Sequence, residues 1–294
     1  MGSSRFKIRI GQGFSLIELL VVIVLLGIMA AGAGMLISRP IEAYVDQTRR
    51  QELVDLAEMS LRKIATDIRA ALPNSIRVID NGPTSWTLEM VNTVDGARYR
   101  DQAGPGFTDP VDRLSFTGDT EFNVLGLFST LPTTGLPITY ADYRVVIYNT
   151  RNDGPDSIYD HAASNSNPGI ISPGNIALDL DGIEHHLTLP SSFQFDLQSP
   201  SQRLFLVDGP VSYVCDTSSN SLTRYSGYSY TAAQSSVPTG GSSGRITSKV
   251  SSCNILYDEG SSQRGGLVSI DLTLSDPKGG TVRLMHQVHV DNVP

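Results

Sequence analysis

At 294 residues, 40% of them hydrophobic, the chain can form one large or two small globular units, and its 43 glycines and prolines argue against a plain helical bundle. The formal net charge is −8; Arg5, Lys7 and Arg9 are the only charges in residues 1–13, so from Phe14 onward 19 bases face 30 acids, a balance of −11. Such acidity repels phosphate backbones, and no basic stripe interleaved with aromatics offsets it, which argues against nucleic acid as a partner.

Residues 14–38, FSLIELLVVIVLLGIMAAGAGMLIS, contain one charge, Glu18. As a helix they span about 37 Å, enough for a hydrocarbon core of ~30 Å. An ordinary signal peptide is supported by the basic stretch before the run and by the small residues Ala31-Gly32-Ala33, but the run exceeds the usual ~7–15 apolar residues and holds Glu18. A plain signal anchor leaves that glutamate unexplained, since a carboxylate at membrane depth costs about 3 kcal/mol.

A third reading accounts for it. Gly13 followed by FSLIELLVVIVLLGI resembles the cleavage and N-methylation signature of type IV pilins and of the pseudopilins of type II secretion. The resemblance implies that a prepilin peptidase/methyltransferase removes residues 1–13 on the cytoplasmic side and methylates Phe14, leaving Glu18 at mature position five. A methylated amine stays cationic at the positive end of the helix dipole, and Glu18 lies about 6 Å along the axis from it. Glu18 is therefore expected to neutralise the Phe14 amine of an adjacent subunit during assembly. Three bases before the run and Arg39 as the first after it place the N-terminus in the cytoplasm and the bulk of the chain outside. Gly27, Ala30, Ala31 and Gly34 would let neighbouring helices approach closely.

Pro40 is expected to kink or loosen the helix around Leu36–Arg39. A helical pattern then resumes over 39–72, with Leu53, Ala57, Leu61, Ile64, Ile68 and Leu72 on one face, Glu58 and Arg62 paired on another, and Leu72-Pro73-Asn74 as its end. The stripe needs a sheet to lie against. From residue 73 to 294 the texture is that of a β-rich head. Strands are expected at 75–79, 85–91, 113–117, 144–148, 186–189, 202–207, 211–215, 222–225, 267–275 and 281–290, the last two as a hairpin. Ala233–Gly244, rich in Ser and Gly, reads as an exposed loop, and the stretch 92–185 has no pattern that organises it. The expected fold class is α+β, with the second half of a long N-terminal helix on antiparallel sheet.

If the apolar segment directs export of the rest of the chain, the two cysteines, Cys215 and Cys253, meet an oxidising compartment; the even pair in polar, loop-like sequence points to a single disulfide rather than two buried free thiols. No enzyme constellation stands out. Ser60-Leu61-Arg62-Lys63 fits S-x-x-K without its companion motifs, and there is no nucleophile elbow, P-loop or zincin helix. His286 and His289, three apart in a strand, point to opposite faces, as do the adjacent His185 and His186. No cofactor is expected. Calcium is the one weak candidate, because Asn152, Asp153, Asp156 and Asp160 in one loop and Asp179 and Asp181 in another offer hard oxygen ligands.

A second resemblance covers more of the chain. IEAYVDQTRRQELVDLAEMSLRKIATDIRAALPNSIRV, RLFLVDGPVSYVC, SLTRYSGY and HQVHVDNVP resemble the minor pilins of the mannose-sensitive haemagglutinin (MSHA) pilus and the related J-type pseudopilins. The resemblance implies a low-copy subunit that helps start or cap a filament, sitting just beneath the tip because Glu18 is present. It also implies the partners: other minor and major pilins, the inner-membrane assembly platform, and the inner membrane itself before assembly. A tip adhesin binding glycan or protein is the alternative, and it needs an exposed aromatic cluster such as Tyr225, Tyr228 and Tyr230.

Overall fold

The computed structural model describes residue 13 and residues 15–102, 113–260 and 265–294, without side chains at 33–40. Phe14 and the leader residues Arg5, Lys7 and Arg9 lie outside the described residues. The chain divides into two units, Met1–Glu52 and Leu53–Pro294. In the first, the described structure is helical: α1 (Leu16–Arg69) begins there and runs unbroken through Pro40. The expected loosening at Leu36–Arg39 does not interrupt it. A proline removes one i→i−4 bond, and the bonds on either side carry the helix past.

The second unit contains the end of α1 and the strands β1 (Arg77–Asp80), β2 (Ser85–Arg98), β3 (Asp119–Asn123), β4 (Ile138–Tyr140) and β5 (Arg144–Val146). A short helix α2 (Ile158–Ser164) comes next, then β6 (Ile176–Asp181), β7 (Glu184–Phe193), β8 (Arg203–Asp216), β9 (Ser221–Ser226) and β10 (Ser242–Thr247). The chain closes with β11 (Val250–Asp258), β12 (Gly266–Ser275) and β13 (Thr281–Val290). Every ladder between these strands is antiparallel. The sheets run β1-β2-β8-β9-β10 with β5 also on β8, then β3-β7-β6-β4, then β11-β12-β13. The class is α+β, consistent with a pilin-like fold.

Leu53, Ala57, Leu61, Ile64 and Ile68 of α1 share one buried core with Leu88 and Met90 of β2, Tyr213 of β8, and Ile255, Ile270 and Leu272 of the three-stranded sheet. The apolar stripe, spaced by three and four, is thus covered by residues of two sheets rather than one. Strict alternation in β12 puts Val268, Ile270, Leu272 and Leu274 inward and Ser269, Asp271 and Thr273 outward. Cys215 in β8 and Cys253 in β11 form a disulfide between those two sheets, with Cα atoms 6.5 Å apart. Both cysteines are buried; Cys215 lies in the strand expected at 211–215, whereas Cys253 sits in a strand where its polar neighbours suggest a loop.

β2 and β8 pair from Ser85↔Asp216 to Arg98↔Arg203, with irregular register around Asn92–Asp95 opposite Val207–Gly209. The expected break between 207 and 211 is instead a bulge in one long strand. Gly209 takes φ +129 there, and Pro210, which has no N–H to give, is tolerated at such a place. Beyond the bulge the same two strands serve a second core, where Ala97, Leu204 and Leu206 meet Phe122, Leu178, Leu187 and Phe195. A third cluster holds Leu72, Val91 and Val207 with Ile158 and Tyr159 of α2.

Two further expectations are corrected. Residues 113–117 form no strand: the Asp119 carboxylate accepts the Ser115 backbone N–H at 2.7 Å and holds a local loop. The Ala233–Gly244 stretch is not wholly a loop, since β10 begins at Ser242. Its approach is tied down by Arg77, which donates to Thr231 O at 2.8 Å and Ala232 O at 2.7 Å.

Candidate functional site

Ser15 immediately precedes α1, and its Oγ accepts the Glu18 backbone N–H at 3.3 Å while its carbonyl accepts the Leu19 N–H at 3.1 Å. Ser15-Leu16-Ile17-Glu18 is therefore an N-cap with glutamate at the third helical position, the pattern of a capping box. Glu18 lies in the first turn, exposed, where its charge complements the helix dipole. Among the described residues, a Cβ at Gly13 would meet nothing within 4 Å.

The large apolar side chains from Leu16 to Met29 are all exposed, from 45% at Val22 to 84% at Leu16. A helix apolar on every side wants a nonaqueous or protein environment around its whole circumference. Among the described residues no helix is long and apolar enough to cross a membrane. The described side chains of the run end at Gly32, and those of Gly34 and Pro40 lie outside the description. Cβ atoms at Gly27 and Gly32 would likewise meet nothing, although glycine costs a helix about 1 kcal/mol relative to alanine.

The remaining candidates scatter. Asp153 lines a small polar pocket with Asn152 and Glu259; Asp156 lies 3.9 Å from His161; Asp160 sits in the first turn of α2, which Ser157 caps. Asp179 and Asp181 are in β6, where the Asp181 carboxylate accepts from the Asn123 amide. Among the described residues no three His, Cys, Asp or Glu side chains gather to hold a metal ion. His185 is buried and accepts the Phe128 N–H, whereas His186 on the other face meets Asn123 and Glu121. In β13, His286 is partly buried and His289 exposed. Ser60 is buried and donates to Leu56 O, while Lys63 pairs with Asp67, so the S-x-x-K residues do not face a common site.

The aromatic cluster is not an exposed patch. The Tyr228 hydroxyl donates to Glu89 at 2.7 Å inside the head, and Tyr230 packs near Tyr159. Burial among these groups pushes both phenols well above their ordinary range. Glu89 in turn accepts from Arg77 at 2.6 Å, with the guanidinium 3.5 Å from the centre of the Tyr159 ring. The site missed by sequence reasoning is the Ser15 cap, whose signal is the serine three places before Glu18.

Residues 9–34 match the family model described as the prokaryotic N-terminal methylation motif. The match supports a type IV pilin-like family and indicates a precursor of the kind that prepilin peptidase processes; it covers the leader's end, the cap and Glu18, and none of the head. No curated protein and no solved structure matches the chain.

Proposed function

We propose that the chain is a minor, low-copy structural subunit of an MSHA-like type IV pilus or a related secretion filament, one that helps to start or cap it. Residues 1–13 are removed by prepilin peptidase and Phe14 is methylated. The apolar helix holds the precursor in the inner membrane with its head in the periplasm until the assembly platform passes it to other minor and major pilins. The subunit turns over no substrate and needs no cofactor.

The observation that carries this reading is the capped start of α1. Ser15, Glu18 and an exposed apolar surface come directly after Gly13, inside the matched methylation motif. Among the described residues, the glycines at 13, 27 and 32 have open space around them, which suits a processing enzyme and close helix approach. Mass spectrometry of the mature protein should find methylated Phe14 at the N-terminus; a start at Gly34 or an intact Met1 would overturn the proposal. Because Glu18 also belongs to the cap, two variants are needed. Glu18→Gln should insert and be processed but fail to enter filaments, whereas Ser15→Ala, costing the helix about 1 kcal/mol, should still enter them.

A further inference from the structure

A cavity of about 630 Å³ in the head lies where α1 ends, beside the second half of the β2–β8 pair and the residues at and just after the end of β13. That volume is in the range of sites for small ligands and short peptide segments. Its apolar lining includes Ile68, Leu204 and Phe205, and its charged lining is Arg69, Arg98, Arg203 and Asp291. Asp291 is turned back onto the Val293 N–H at 3.2 Å, and Arg203 donates to Val293 O at 3.3 Å. The Arg69 and Arg98 side chains are exposed and, among the described residues, have no hydrogen-bond or ion-pair partner. Thr93, also in the lining, has a buried hydroxyl oxygen with no partner.

Three guanidiniums at one apolar cavity are unusual in a chain with an excess of acids. Helix ends attract cations, which accounts for Arg69, but Arg98 and Arg203 come from paired strands and owe nothing to that effect. Two positive side chains directly opposite in register repel each other, so an anion between them relieves a cost already present. Guanidinium is the cation best suited to a carboxylate, which it meets through two parallel hydrogen bonds.

We propose that this cavity receives a short peptide segment of a partner protein in which carboxylate side chains alternate with apolar ones. Its acids meet Arg69, Arg98 and Arg203, its apolar side chains lie against Leu204 and Phe205, and its backbone supplies the missing partner for Thr93. The filament-subunit reading enters only in making the partner a neighbouring subunit; the binding chemistry stands apart from it.

The test uses the full-length protein in detergent micelles and fluorescence anisotropy with two labelled hexapeptide pools. One alternates Asp or Glu with Leu, Val or Phe, and the other replaces each acid with its amide. The acidic pool should bind and the amide pool should not, with binding lost in about 1 M salt, where the screening length is about 3 Å. Arg98→Glu and Arg69→Glu should each weaken binding about tenfold while leaving the melting curve unchanged, since both side chains are exposed. Equal binding of the two pools, no binding of the acidic pool, or indifference to both substitutions would overturn the proposal. Glu18→Gln protein should bind the acidic pool as the parent does, so failure here and failure of the assembly reading are separable.

Discussion

At Asp67 three donors converge: Lys63 at 2.9 Å, Tyr213 at 2.7 Å and Arg224 at 2.7 Å. Burial by itself raises this carboxyl, but the hydrogen bonds from Arg224, Tyr213 and Lys63 outweigh it and leave the group below its ordinary value. A folded value below the unfolded one contributes stability that is complete above about pH 4 and is lost as pH falls through the folded value. Asp67→Asn should therefore cost about 3 kcal/mol at neutral pH, and its deficit in urea unfolding should shrink in acid. An equal deficit at both pH values would assign the role to packing alone. The sequence reading relates Glu18 to the Phe14 amine of an adjacent subunit. The structure adds a nearer relation, Ser15 Oγ with the Glu18 N–H, which the S-x-x-E pattern carries.

Among the elements, legibility tracked periodicity. β12 alternates without a fault, and its expected bounds differ from the observed ones by one residue. β11 breaks its alternation once, because the register slips between Val250 and Ser252 and puts Val250 and Cys253 on the same buried side despite their odd spacing. In β6, Ile176 and Leu178 are buried on either side of Ala177, and Asp179 and Asp181, which offer hard oxygens in sequence, are strand residues. The disulfide belongs at this scale because it joins two elements. Closing a loop of 38 residues, it should be worth about 4 kcal/mol on the chain-entropy model. Replacing Cys215 and Cys253 by serine together should lower the urea midpoint accordingly; an unchanged midpoint would mean that the helix and the sheets hold each other without it.

Over the whole molecule, the described core residues all fall at or after Leu53. Residues 53–294 expressed alone should accordingly unfold in one cooperative thermal transition, and a broad, non-cooperative melt would show that the preceding helix is needed. The stretch 92–185, which sequence patterns left unorganised, contributes β3 to β6, α2 and much of the second core. Its strands are short, from three to six residues, and its turns are irregular, so each offers too few periods for a pattern to emerge.

The register of β2 with β8 has a consequence for how this head can vary. Residues 99–202 leave the pair at Arg98 and rejoin it at Arg203, its register partner. More than a hundred residues thus enter and leave the ribbon at one register pair, with β5 returning to pair with β8 and α2 packing against Leu72. Lengthening such an insertion changes loop-closure entropy slowly, by about 0.6 kcal/mol per doubling. Lineages could enlarge or trim the loops of this module and alter what the molecule displays outward, while β5 stayed on β8 and the ribbon's near half went on gripping the helix in the same way.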